Sequence, residues 1–337
     1  MSGGVDSSVA ASVLMSQGYN VSGVTLKLCH NDDGTNSRDA NAVCEKLNIS
    51  HFNFDLQKQF DEFVVADFIK QYINGKTPNP CIECNKYIKF GKMIDLAKEN
   101  GFDKIATGHY ARIKKAEDGR YLLLKAKDTS KDQSYVLYNL TQYQLSKTLF
   151  PLGDFTKSEI REMAEKSGFV NANRPDSQDI CFVPDGDYAS FIENNIGYKS
   201  IKGSYVDIEG NYLGEHNGVI RYTLGQRKGL GIALGKPAFV IDKNSETNVV
   251  VLGDEKYLFK KCVEVKNVNF IPFDKLKEKL RVNAKLRYRH TEQPAYIIPN
   301  GEDRVIIEFD EPQRAPSSGQ AAVFYDGDII VGGGTIV

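Results

Sequence analysis

The sequence predicts an α/β protein: a parallel-sheet domain, then a small β-rich central domain, then a C-terminal β-barrel. Three observations carry that expectation. Strand-like and helix-like stretches alternate over the first 190 or so residues, the pattern of a parallel sheet covered by helices. A Gly- and Ser-rich run near the N-terminus opens straight into a helical pattern. After residue 195 the helical periods fade, and short alternating runs with glycine turns replace them, as in small barrels. The expected divisions are 1–194, 195–256 and 257–337.

The elements follow in order. Residues 7–17 carry a helical apolar pattern (Val9, Ala10, Val13, Leu14) that stops at Gly18. Residues 21–28 read as a strand, 38–47 as a helix and 51–54 as a strand. Residues 59–73 form a long helix with Phe60, Phe63, Val64, Phe68 and Tyr72 available for one face. A helix over 89–99 precedes Gly101 and a strand over 104–107. Asp118-Gly119 joins two strand-like runs as a hairpin inside the first domain. Thr156 and Glu159 make a capping box for a helix ending near Gly168. In the β-rich half, Asn300-Gly301 and Asp326-Gly327 sit between strand-like runs as hairpin turns.

Composition narrows the class. The chain of 337 residues has room for two or three domains. It is 41% hydrophobic and 26% charged, the balance of soluble globular proteins. No apolar run approaches the roughly 18 residues of a membrane span. No basic region followed by an apolar stretch marks a secretory signal. Six cysteines are too few for a disulfide scaffold in a chain this long. The expected compartment is cytoplasmic, where cysteines that matter are catalytic, redox-active or metal-bound. The net charge of −1 does not announce nucleic acid, but a local basic face is compatible with it.

The N-terminal run is Ser2-Gly3-Gly4-Val5-Asp6-Ser7-Ser8. It can be a Gly-Ser turn that merely caps a helix. It can also curl around an anion, with hydroxyls, loop amides and the positive helix end holding phosphate oxygens. Asp6 could then hold the Mg²⁺ that accompanies phosphates. The lysine of a Walker A loop is absent. A strand ordinarily feeds such a loop, and Met1 stands directly before it here. The expectation is either an internal start or a sheet without its central strand, leaving neighbouring edges unpaired.

Cysteines supply the second signal. Asn79-Pro80-Cys81-Ile82-Glu83-Cys84-Asn85 reads as a shaped loop before a helix, with Lys86 and Lys89 placed to lower the Cys84 pKa. Far downstream comes Asp176-Ser177-Gln178-Asp179-Ile180-Cys181-Phe182. Sulfur chemistry needs one thiol to carry a persulfide and another to resolve it. A zinc half-site at Cys81 and Cys84 lacks a second ligand pair. A 4Fe-4S cluster on Cys81, Cys84 and Cys181 stays open as an alternative. Cys29, Cys44 and Cys262 lie in or beside apolar runs and read as buried fillers.

The loop spelling Ser-Gly-Gly-Val-Asp-Ser resembles the PP-loop of ATP pyrophosphatases, which cleave ATP to AMP and pyrophosphate. Further motifs extend the resemblance over nearly the whole chain: 77–80, 84–86, 106–111, 131–135, 177–182 and 223–231. Together they resemble the bacterial tRNA-specific 2-thiouridylases (MnmA/TrmU family). That resemblance implies a Rossmann-like PP-loop domain that binds ATP with Mg²⁺. Met1, Ser2, Gly3, Gly4, Val5, Asp6 and Ser7 would hold the nucleotide, with Leu26 and Gly108 lying against it. Cys181 would carry a persulfide from a cysteine desulfurase or sulfur relay protein, and Cys84 would be its partner nucleophile. Asn79, Pro80 and Cys81 would meet the target base. Cys81 stands where some members have Asp, so an acid/base role does not carry over to it. His109, Lys131, Asp132, Gln133, Arg287, Tyr288 and Gln320 would contact tRNA. The run 285–290 interleaves cations with an aromatic residue on a strand pattern, which suits phosphate contact. Two rivals remain at this level: another PP-loop enzyme that needs no cysteine pair, such as a tRNA lysidine synthase, and a non-catalytic tRNA-binding paralogue.

Overall fold

The computed structural model describes residues 1–30, 34–172 and 180–337. The motif residues Asp176, Ser177, Gln178 and Asp179 lie outside them.

The N-terminal run leads into helix α1 (Val5–Ser16). Strand β1 (Gly23–Lys27), helix α2 (Thr35–Leu47) and strand β2 (His51–Asp55) follow. β1 and β2 pair in parallel, with Leu26 opposite Phe54. Met1 is tied to β1: its amino group donates to the Val24 carbonyl, and Thr25 Oγ1 donates to the Met1 carbonyl at 2.9 Å. Strand β3 (Ile105–Ala106) belongs to a separate parallel pair described below. The expected parallel sheet is therefore present as two separate two-stranded pairs.

Two helices bear on the site. The helix over 57–73 contains a π-helical turn at Asp61–Val65. It buries Phe60, Val64, Phe68 and Tyr72, the apolar face its spacing predicts. The helix over 80–99 starts nine residues earlier than expected. Asn79 is its N-cap, accepting from the Cys81 amide, and Pro80 takes the first position. Pro costs little there, because that N–H has no partner in any helix. What reads as a loop before a helix is thus the first turn of the helix. Cys84–Lys92 is π-helical. The α-helical period used to place helices in a sequence fails over such a stretch.

The hairpin of β4 (Ala111–Lys115) and β5 (Tyr121–Lys125) forms as predicted, but it does not stay within the first domain. Strand β6 (Thr148–Leu149) pairs with β3. The capping box at Thr156 and Glu159 opens the helix Lys157–Lys166. The central module is one four-stranded sheet: β7 (Gly203–Val206), β8 (Tyr212–His216), β9 (Phe239–Asn244) and β10 (Val249–Gly253). Its order is β8-β7-β10-β9.

The last third is a barrel of six strands: β11 (Phe259–Phe270), β12 (Leu280–Lys285), β13 (Gln293–Pro299), β14 (Arg304–Arg314), β15 (Ala321–Asp326) and β16 (Ile329–Ile336). Pairing of β11 with β16 closes it. Closure removes free edges. Alternate residues fill the interior, among them Val265, Ala295, Ile297, Ile307 and Phe324, all fully buried. Both predicted hairpin turns connect strands here. β5 joins the outside of this sheet through Leu124 opposite Ile329. Arg112 Nη2 donates to Asp328 at 2.8 Å across the same seam. The Asp118-Gly119 hairpin is therefore an extension of the barrel sheet, a correction to its expected place. Among the described residues no helix is long and apolar enough to cross a membrane.

Candidate active site

One cavity of about 2480 Å³ gathers the two sequence signals. The N-terminal run forms one wall, and four cysteines (Cys29, Cys81, Cys84 and Cys181) lie on its lining.

The N-terminal wall has features that can receive an anion. Gly3 has a φ of 69°, a left-handed turn that a side chain would strain. Gly4 is the N-cap of α1, and among the described residues no side chain caps that helix end, so its positive pole is left to a ligand. Ser7 Oγ accepts from the Ser2 amide at 3.1 Å and lies 3.3 Å from Ser2 Oγ. Gly108 presses on the loop from just beyond β3: a Cβ there would come within 2.9 Å of the Asp6 carbonyl carbon and the Ser7 nitrogen. Leu26 lines the same space from β1.

Asp6 has two close partners that the sequence did not suggest. Lys157 Nζ donates to Asp6 Oδ1 at 2.8 Å and Oδ2 at 3.0 Å. Tyr110 donates its hydroxyl to Oδ1 at 2.8 Å. Both carboxylate oxygens are engaged by a buried lysine. A second unforeseen support is Asn171, whose Nδ2 donates to the Gly3 carbonyl at 2.9 Å and to Ser8 Oγ at 3.0 Å. The sequence held a partial signal for Lys157, as the first residue after a capping-box Thr. Asn171 carried none.

The thiols converge from three segments. Cys84 is buried in the largest apolar cluster, on which Leu28, Cys29, Ile180 and Phe182 also pack. Phe182 stands edge-on to Phe60 at 5.6 Å and to Phe68 at 5.2 Å. That aromatic wedge fixes its neighbour Cys181 at the cavity. Cys181 and Cys81 are exposed to the cavity. Cys29 is half-buried and Cys262 is exposed, so neither is a buried filler; Cys44 is buried. Cys262 lies on β11, whose first residues all face out.

The three thiols of the expected site differ in acidity. Burial pushes the Cys84 thiol up to about 12, against a smaller opposing pull from Lys89. The expectation of an acidic Cys84 is thereby corrected: desolvation outweighs the nearby cation. Desolvation by the surrounding protein raises Cys81 as well, although its side chain reaches the cavity surface. Cys181 goes the other way, to about 7, first through its side-chain interaction with Cys29, against the opposing effect of burial, and with help from Lys89. Lys89 sits one π-helical step of five residues beyond Cys84, lines the cavity, and acts on all three thiols.

Among the described residues no group of three or more His, Cys, Asp or Glu is disposed to hold a metal ion. The 4Fe-4S alternative on Cys81, Cys84 and Cys181 has no support from their placement.

The residues expected to contact tRNA divide into two sets. Lys131, Gln133, His109, Tyr288, Pro80 and Cys81 line the cavity. Of these, His109 is buried between Phe90 and Phe150, bonds Thr107 Oγ1 at 2.8 Å, and is held neutral by burial. Gln133 accepts from the Tyr110 amide at 2.9 Å. Tyr288 donates to the Asp132 carbonyl at 3.2 Å. The other set is bonded within the protein, off the cavity lining. Asp132 bonds Ser134 and the Ala126 amide. Arg287 reaches the Leu224 and Ala315 carbonyls and Ser317 Oγ. Gln320 donates to the Thr77 carbonyl at 2.7 Å, and the Thr77 amide donates to Ser318. Through those bonds the barrel fixes the segment that ends in Asn79 and Cys81.

A parallel-strand domain with an anion loop and a thiol cluster in one cavity defines a class: a nucleotide-dependent enzyme of the HUP type that works with sulfur. Comparison with known proteins places the chain more closely. The tRNA methyl transferase HUP domain profile matches residues 1–185. The tRNA methyl transferase PRC-barrel domain profile matches 189–254, and the aminomethyltransferase β-barrel domain profile matches 260–336. A tRNA-specific 2-thiouridylase MnmA of Clostridioides difficile is 51% identical, covering 100% of this chain and 96% of that protein. Those of Lachnoclostridium phytofermentans and Acetivibrio thermocellus are 47% and 48% identical, again over 100% of this chain and 98% and 97% of theirs. The chain belongs to the tRNA-specific 2-thiouridylase family.

Proposed function

We propose that this chain is an ATP-dependent tRNA-uridine 2-sulfurtransferase, with Cys181 as sulfur carrier and Cys84 as its partner. The observation that carries the reading is the shared cavity: the anion loop and both thiols line it.

The chemistry follows from what each group can do. The carbonyl oxygen at carbon 2 of uracil is a poor leaving group. Transfer of AMP from ATP onto that oxygen, with release of pyrophosphate, makes it a good one. The loop 2–7 and the α1 amides hold the phosphates, and Gly108 keeps the loop in place. Mg²⁺ would accompany the nucleotide's phosphates, close to the Asp6–Lys157 pair.

Of Cys81, Cys84 and Cys181, only Cys181 is made more acidic by its surroundings, and the thiolate is the form that takes sulfane sulfur from a persulfide donor. The terminal sulfur of Cys181–S–S⁻ attacks carbon 2 and expels AMP. Cys84 then attacks Cys181 Sγ, its proton passing to the ring nitrogen that adenylation left bare, and the thiolated base leaves. Two thiols are oxidised to a disulfide while the sulfane sulfur is reduced to the thiocarbonyl. A dithiol reductant resets the pair. Cys84 keeps its proton in the resting state, which stops it discharging the persulfide before a base arrives. The wobble base must leave its stack to enter such a pocket.

The test mixes the protein with unmodified tRNA, ATP, Mg²⁺ and a persulfide source, and reads nucleosides by mass spectrometry. Thiouridine should appear only with ATP. Product that survives Cys84→Ala together with Cys181→Ala would instead favour a PP-loop activity without thiols.

A further inference from the structure

Asn171 has no part in the reaction above, yet it grips the backbone of the anion loop. It follows the helix Lys157–Lys166, in a short turn where the Ala172 amide donates to the Phe169 carbonyl at 3.1 Å. Phe169 and Ala172 pack in one apolar cluster with Val5, Val9 and Val13 of α1, so the turn is registered against the loop and its helix. Asn171 is only 4% exposed. Its Nδ2 donates twice to the loop, to the Gly3 carbonyl at 2.9 Å and to Ser8 Oγ at 3.0 Å. Ser8 Oγ in turn donates to the Gly4 carbonyl at 3.1 Å, and Ser7 Oγ donates to the same oxygen at 3.0 Å. Asn171 Oδ1 is buried with no hydrogen-bond partner among the described residues. A buried polar atom without a partner is destabilising, so what this side chain contributes lies in its two donated bonds.

The two glycines make such a grip necessary. A trans peptide points its C=O and its N–H to opposite sides. With the Gly3 carbonyl drawn inward to Asn171, the Gly4 N–H points the other way, and Gly4 lies on the cavity lining. Turning that one peptide over would present a carbonyl oxygen to an anion instead of a donor. The turn changes only ψ of Gly3 and φ of Gly4, and glycine accepts either sign of φ. The next peptide is constrained locally. Two serine hydroxyls hold the Gly4 carbonyl, and Val5, being β-branched, resists a positive φ. Only the Gly3–Gly4 peptide depends on a side chain from far along the chain.

We propose that Asn171 is a positioning residue for nucleotide binding: it keeps the Gly3 carbonyl turned inward, so that the Gly4 N–H faces the cavity and donates to a phosphate oxygen. The inference rests on the nucleotide reading of this loop and deepens it by naming the side chain that sets the polarity of the anion site.

The experiment measures binding to the full chain, without tRNA or a sulfur donor, by equilibrium dialysis of radiolabelled ATP with Mg²⁺ and, separately, of adenosine. Three proteins are compared: the unchanged chain, Asn171→Leu, which keeps the branched shape and donates nothing, and Asn171→Ala. Both variants should bind ATP roughly tenfold to a hundredfold more weakly, the loss of one hydrogen bond to a charged group. Both should bind adenosine as the unchanged chain does, because the Gly4 N–H meets phosphate alone. Melting curves identify a variant that has not folded. An ATP affinity in N171L equal to that of the unchanged chain would overturn the proposal, since shape alone would then suffice. So would a parallel loss of ATP and adenosine, since the whole pocket would then have shifted. An unchanged chain that binds neither ligand would bring down the nucleotide reading together with the proposal. If ATP binding responds as stated but no tRNA is thiolated, the sulfur transfer proposed above fails and the role of Asn171 survives.

Discussion

The C-terminal barrel and the thiol cavity are built on opposite principles. In the barrel, six strands close on themselves and alternate residues fill a dry interior. In the N-terminal half, the parallel strands come in two short pairs, and the cavity of about 2480 Å³ lies beside them. Its walls are a glycine turn, a π-helical stretch and chain segments beyond strand ends. The barrel is specified by many equivalent contacts, so no one residue decides it. The cavity depends on a few residues whose replacements cannot be absorbed. The barrel still serves the cavity, because Gln320 and Ser318 hold the backbone at Thr77 just before Asn79 and Cys81.

That contrast predicts a ranked set of effects. Cys181→Ala should abolish thiolation while leaving tRNA affinity and the melting temperature nearly unchanged, as read by nucleoside mass spectrometry, filter binding and thermal denaturation. Gly108→Ala comes next. The added Cβ must push back the Asp6 and Ser7 backbone, and misplacement of a positioned group by an ångström costs on the order of a hundredfold. AMP release should fall by that order while persulfide loading of Cys181 continues. A milder change is in pH. Cys181 reacts as the thiolate and its pKa is lowered to about 7, so loading with sulfane sulfur should be full above that value and fall as pH drops, by about tenfold per pH unit well below it. Stopped-flow loading at pH 5.5 to 8 checks the slope. The smallest effect on activity belongs to Ile307→Ala in the barrel. It should cost about 2–5 kcal/mol of stability by opening a cavity, yet change the rate at low temperature by no more than about twofold, since distant packing sites act independently.

How far the sequence carries one can be judged from particular residues. The turn before the first helix was legible because two glycines and flanking hydroxyls ahead of an apolar helical period mark a helix start. The turns at Asn300-Gly301 and Asp326-Gly327 were legible because left-handed backbone there is a local requirement. The destination of the Asp118-Gly119 hairpin was not. Its partner Ile329 is about two hundred residues away in sequence, and edge pairing leaves no local mark. The π-helical stretch from Cys84 hid the true start of its helix from an α-helical period. Cys29 ends an apolar run and reads as packing; only the fold shows it on the cavity lining. The low acidity of Cys84 escapes the sequence for a related reason. Neighbouring lysines are visible in the chain, whereas burial is a property of the whole cluster. Lys157 and Asp6 meet across 151 residues, a distance that composition and spacing do not bridge.

The most direct test of sulfur transfer through the paired thiols is a single turnover with a labelled carrier. Cys181 is loaded with ³⁴S sulfane sulfur, excess donor is removed, and tRNA is added with and without ATP. The proposed mechanism predicts labelled thiouridine only with ATP, at no more than one per chain, and a Cys84–Cys181 disulfide in trapped peptides. Unlabelled product, labelled product without ATP, or a disulfide-free protein after full turnover would contradict it.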